Sequence, residues 1–131
     1  MLSGILVLDK PKKISSGDYV RQLKKYLTKE KIGHAGTLDP MATGILIACI
    51  GQMTRFSDYL ANLPKSYEAE ILLGQQTNTG DIQGEVIERT NFIPSSDEFK
   101  KIFKNFIGEI DQVPPIYSAL KYKGKPFYKY A

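Results

Sequence analysis

Cysteine, histidine, tryptophan and arginine are all scarce in this sequence. Cys49 is the only cysteine, His34 the only histidine, and tryptophan is missing from the 131 residues. A single cysteine excludes an internal disulfide and with it the stapled scaffolds of small secreted domains. One histidine and one cysteine make a zinc site only with the help of several carboxylates, so no metal is expected. The phosphate-cradling glycine loop, the dinucleotide fingerprint and a Ser/His/Asp set are also missing. The longest apolar run, from Gly44 to Gly51, falls far short of a membrane span. The N-terminal run Ile5-Leu6-Val7-Leu8 ends at Asp9-Lys10, too soon for the core of a signal peptide. The expected location is therefore cytoplasmic, with no membrane contact.

What is present is a balanced globular composition with a basic excess. The chain is 42% hydrophobic and 24% charged, enough apolar residues for a packed core. Its length suits one domain or a piece of a larger one. Lys and Arg total 18 against 14 acidic residues, a net charge of +4, and only Arg21, Arg55 and Arg89 of those cations are arginines. The excess favours an anionic partner. Lysine meets phosphate as a mobile point charge, whereas arginine reads base edges through its fork. A nucleic acid bound here would be held by backbone and shape.

Along the chain, Gly4 to Leu8 reads as a buried strand. From Asp18, the residues Tyr19, Val20, Leu23, Tyr26 and Leu27 fall at helical spacing with lysines on the opposite face. Residues 31–43 carry glycine, proline and small polar groups and read as a loop. Ile45 to Ile50 reads as a second buried strand, followed by a short helix through Phe56, Tyr59 and Leu60. Tyr67, Ala69, Ile71 and Leu73 alternate with polar neighbours, the period of a half-exposed strand. Gly74 to Gly84 is turn-rich, and Glu85 to Arg89 reads as one more strand. Ser95 and Glu98 have the spacing of a capping box, opening a helix through Phe99, Ile102, Phe103, Phe106 and Ile107 that Gly108 closes. Pro114-Pro115 breaks the chain, and Lys123-Gly124 reads as a turn. Strands and helices mix without strict alternation, which predicts an α+β fold with a mixed, mostly antiparallel sheet flanked by helices.

The most unusual stretch is Gly33-His34-Ala35-Gly36-Thr37-Leu38-Asp39-Pro40-Met41-Ala42-Thr43-Gly44. By residue chemistry alone, Asp39-Pro40 is a helix or turn cap and His34 a satisfied structural group. The pattern G-H-x-G-x-L-D-P-x-A-x-G, however, resembles the signature of the TruB family of tRNA pseudouridine synthases and matches at every fixed position. Further similar blocks follow in family order: Gly4 to Pro11 with Ser15-Ser16; Thr54-Arg55-Phe56; Lys65-Ser66-Tyr67 leading to Leu73-Gly74; Thr77, Thr79, Asp81 and Gly84; and Gln112 with Pro114-Pro115 and Tyr117 to Lys121. The resemblance covers essentially the whole chain. It departs at Lys13, where the family often has glycine, and at Ala131, beyond which the family continues with more of the catalytic sheet, an Arg that pairs with the nucleophilic Asp, and a small C-terminal RNA-binding domain. The resemblance therefore implies that residues 1–131 are the N-terminal portion of a catalytic domain, nearly inactive alone.

It further implies isomerisation of one uridine in the T-loop of tRNA, on a flipped-out base, without cofactor, with Asp39 as the catalytic nucleophile. By the same resemblance Tyr67 covers the displaced uracil and His34 fills the space vacated in the RNA. Thr37, Arg55, Asp81 and Lys121 fall to RNA contact, with Thr79 beside Asp81. Lys10, Pro11 and Gly36 support the catalytic loop. The tail from Ser118 interleaves Lys121, Lys123, Lys125 and Lys129 with Tyr122, Phe127, Tyr128 and Tyr130, a composition suited to nucleic acid. The partner expected is the tRNA T-arm, with no obligate protein partner and a monomeric chain. Two alternatives remain: a catalytic subunit of the guide-RNA-dependent, dyskerin-like branch, and an RNA-binding fragment without chemistry of its own.

Overall fold

The computed structural model describes residues 2–115, 117, 118, 120–127 and 130. Of the residues singled out above, Ala119, Tyr128, Lys129 and Ala131 lie outside the described residues, as does the side chain of Lys121. The chain divides into two compact units, Met1–Tyr67 and Glu68–Ala131. All strand pairs among the described residues are antiparallel and helices accompany them, the predicted α+β class.

The first unit is built on three strands, β1 (Gly4–Lys10), β2 (Ile32–Ala35) and β3 (Gly44–Ile50), in the order β1-β3-β2. Register pairs Leu8 with Leu46 and Leu6 with Ala48, so one face of the sheet collects these side chains. Helix α1 (Ser16–Arg21) covers that face, and Val20, Leu46 and Ala48 form the buried cluster, with Leu8, Tyr19, Leu23, Ile32 and Leu38 packed around it. Ser15 caps α1 by accepting from the Asp18 N–H at 3.1 Å, and a 3₁₀ turn over Gln22–Lys25 extends it. After β3, a 3₁₀ turn over Gly51–Phe56 leads into α2 (Ser57–Ala61). Gly51 has φ +60°, and a Cβ there would lie 2.3 Å from the Leu2 carbonyl oxygen, so the turn leaving β3 needs glycine.

Three expectations are corrected in this unit. The β1 strand is not buried: Val7 is 69% exposed and Ile45 of its partner strand is 73% exposed, because the face of the sheet opposite α1 is packed around Cys49 and Ala35 but left open at these two positions. Residues 31–43 are not all loop, since Ile32–Ala35 forms β2. Gly33 argues locally against a strand, but pairing with β3 (Ile32 to Ile50, His34 to Ala48) supplies a ladder from elsewhere in the chain. The alternating segment from Tyr67 forms no strand; residues 64–72 hold no regular element, because alternation supplies a face but not a ladder partner.

The second unit contains a hairpin, β4 (Gln75–Thr77) with β5 (Val86–Arg89), and helix α3 (Ser96–Phe103), extended by a 3₁₀ turn over Lys104–Phe106. The predicted capping box is formed: Ser95 Oγ accepts from the Glu98 N–H, and the Glu98 carboxylate accepts from the Ser95 N–H at 2.8 Å. These bonds from Ser95 hold the Glu98 carboxyl below its ordinary range. A second hairpin joins β6 (Lys121–Tyr122) to β7 (Lys125–Pro126) through Lys123 (φ +48°) and Gly124 (φ +79°), a two-residue turn of type I′. None of the described residues of this unit is buried. No helix among the described residues is long and apolar enough to cross a membrane.

Candidate functional site

The loop joining β2 to β3 is held by side chains from elsewhere in the first unit. Lys10 is the last residue of β1 and lies on the packed face, two residues beyond Leu8. Its ammonium is fully buried and donates to the carbonyls of Pro11 (2.9 Å), Ile14 (2.9 Å) and Pro40 (3.5 Å). A buried cation is tolerated when its donors are satisfied, and here backbone dipoles do that. The Pro40 carbonyl also accepts from the Lys13 N–H at 2.7 Å. Pro40 is therefore tied to the β1 end of the sheet through two donors.

Leu38 is pinned just as firmly. Ser16, buried at the start of α1, donates from Oγ to the Leu38 carbonyl (3.0 Å) and accepts at Oγ from the Leu38 N–H (2.9 Å), while the Leu38 side chain packs on the core. Between these two anchors stands Asp39. Its carbonyl accepts from the Ala42 N–H at 3.0 Å, closing a turn with Pro40 in the position where its fixed φ is an advantage. Its side chain is exposed, and among the described residues its carboxylate takes no hydrogen bond and no ion pair. The backbone is thus a turn, as residue chemistry suggested, but the carboxylate does not serve as the cap.

The neighbouring residues are arranged around the same loop. His34 is half-buried in β2, and its Nδ1 lies 2.6 Å from the Gly36 carbonyl. A carbonyl only accepts, so Nδ1 carries the proton there and the ring is fixed in its plane. Gly36 adopts φ +90°, which lets the chain leave β2 and turn back on His34. Thr37 and Pro11 are exposed, as is Arg55 in the turn before α2. Tyr67 is 72% exposed, so its ring faces are free. Cys49, by contrast, is buried, and burial pushes its thiol up, away from the thiolate a nucleophile needs.

Asp81 and Lys121 belong to the second unit. Asp81 is committed locally: its Oδ1 accepts from Thr79 Oγ1 at 3.0 Å and from the Gln83 N–H at 2.8 Å, and Thr77 Oγ1 donates to its carbonyl at 2.7 Å. The loop closes so tightly that a Cβ on Gly84 would lie 2.1 Å from Thr79 Oγ1. Lys121 pairs with Pro126 in the second hairpin. The first unit thus brings Lys10, Pro11, His34, Gly36, Thr37 and Asp39 onto one loop and its anchors. Ser16 and the Lys13 backbone are anchors that residue chemistry did not single out. For Ser16 the available signal was its place one residue inside an N-cap, facing the core. Among the described residues no three metal-ligating side chains cluster.

Residues 24–131 match the family described as TruB family pseudouridylate synthase, N terminal domain. The chain is 44% identical over 130 residues to tRNA pseudouridine synthase B of Vibrio atlanticus, covering 99% of this chain and 41% of that protein. It is 46% identical over 132 residues to the protein of the same name from Francisella tularensis, covering 99% and 44%. The match to the protein so named from Cupriavidus metallidurans is 48% over 128 residues, covering 98% and 41%. The chain therefore spans about two-fifths of the length of these curated relatives.

Proposed function

The chain belongs to the TruB family of pseudouridylate synthases, and from that premise we propose that it carries the catalytic loop of an enzyme that isomerises a T-loop uridine of tRNA to pseudouridine, with Asp39 as nucleophile. The reaction breaks the C1′–N1 bond, turns the uracil and joins C1′ to C5. C5 loses a proton and N1 gains one, so the exchange is balanced without oxidant, reductant or second substrate. A carboxylate that forms a transient bond to the substrate divides one difficult exchange into two easier ones. The observation that carries this reading is the uncommitted Asp39 carboxylate between two pinned neighbours.

The base must leave its stack to meet that carboxylate, at a cost of a few kcal/mol. Stacking on one aromatic ring returns about 1–3 kcal/mol. Tyr67 supplies that ring, and the exposure of its faces suits the role. His34, its ring set by the Gly36 carbonyl, fills the gap left in the RNA with a flat surface and a polar edge. Thr37, Arg55, Asp81 and Lys121 contact the RNA, while Lys10, Pro11 and Gly36 hold the loop. The protein acts as a cytoplasmic monomer without cofactor, its partner the T-arm.

The test is release of tritium from C5 of uridine in an unmodified tRNA transcript, with the protein in the form its cell makes. The parent is expected to release label from the T-loop uridine, and Asp39→Asn to lower the rate at least about a thousandfold. Undiminished release by Asp39→Asn would overturn the nucleophile. Equal release from a transcript with cytidine at the T-loop position would overturn the target, and a requirement for guide RNA would favour the dyskerin-like branch.

A further inference from the structure

We propose that Lys13 is a phosphate contact beside the Asp39 loop, meeting the backbone phosphate that flanks the target nucleotide; this rests on the reading of Asp39 given above. Lys13 has φ +70°, a left-handed backbone that glycine takes freely and a residue with a Cβ takes at a cost. Among the described residues the only other non-glycine with positive φ is Lys123, at the tip of a hairpin. The conformation is enforced, because the Lys13 N–H donates to the Pro40 carbonyl at 2.7 Å, the same oxygen that the Lys10 ammonium reaches at 3.5 Å. The fold would be served as well or better by glycine here. A strained lysine at such a position calls for a use of its side chain.

The surroundings point to that use. The Lys13 side chain is exposed, as is that of Lys12, and the single ion pair among the described residues is Arg21 with Asp18. The Lys13 cation is thus free among these residues. Its backbone sits one hydrogen bond from Pro40, the residue after Asp39. A nucleotide whose sugar meets the Asp39 carboxylate carries a phosphate on each side of that sugar. Lysine takes such a phosphate as a point charge on a flexible stem, with no demand for a fixed geometry.

Stability and binding should therefore move independently on substitution. Affinity for an unmodified tRNA transcript is measured as a function of salt for the parent, Lys13→Gly, Lys13→Gln and Lys13→Arg, together with thermal unfolding of each. Lys13→Gly should melt at the parent temperature or up to about 4 °C above it. Both neutral variants should bind more weakly, with the slope of log affinity against log salt shallower by about 0.7–1, the signature of one lost phosphate. Lys13→Arg should keep the parent slope. A parent-like slope in both neutral variants would overturn the proposal and leave Lys13 a solvated surface lysine. The tritium assay of Asp39→Asn fails or succeeds separately: loss of release there with unchanged Lys13 slopes sinks this inference alone, whereas surviving release sinks the reading on which it rests.

Discussion

Two loops of this chain each present an aspartate from a turn, and they are held in opposite ways. Asp81 makes its own loop: its carboxylate binds Thr79 and the Gln83 amide, all within a few residues, and Gly84 closes the turn because no side chain fits. Asp39 contributes only its backbone. The bonds that fix its loop come from Lys10 and Ser16, which are far away in sequence, and its carboxylate is left over. A carboxylate already satisfied by local donors has little left to offer a substrate; one whose position is fixed by others is available for chemistry. The same contrast separates the two units. The first has a buried cluster to which a loop can be anchored, whereas the second is ordered by caps and turns with none of its described residues buried.

The contrast is most easily broken at Lys10. Lys10→Met keeps length and apolar stem but leaves the Pro11 and Ile14 carbonyls without the ammonium, and should cost about 2–4 kcal/mol by urea unfolding. A change below about 0.5 kcal/mol would mean that water replaces the ammonium and that the anchor is not one.

Ser16→Ala removes both bonds to Leu38 and should cost about 1–3 kcal/mol. Because it loosens the residue before Asp39, it should also lower tritium release on the order of tenfold to a hundredfold, more than its stability loss explains. Asp81→Ala sharpens the comparison from the other side. It deletes two local bonds at an exposed site and should cost about 1 kcal/mol. That loss should appear as faster amide exchange at Gln83, since the Gln83 N–H loses its acceptor.

What was legible in the sequence follows the same division. The capping box at Ser95 and Glu98, the turn at Lys123-Gly124, the strand from Gly4 and the strand from Ile45 are local signals, and all are present. Non-local order was not legible. Strand β2 exists because β3 pairs with it, against the local preference of Gly33, and the alternation from Tyr67 predicted a strand for which no ladder forms. The family resemblance places Lys10 as a loop support, and strand phase alone sets it on the same face as Leu8, two residues earlier, which packs on the core. The site motif marked the loop, and only the fold identified which of its atoms are held and which are free.

The central claim is that Asp39 contributes chemistry and not stability. It is tested most directly by measuring urea unfolding and tritium release on the same preparation of Asp39→Asn. An exposed carboxylate without hydrogen bonds among the described residues predicts an unfolding free energy within about 0.5 kcal/mol of the parent, alongside loss of release. A variant that unfolds markedly more easily, or one that still releases tritium, would show the aspartate to be a turn cap after all.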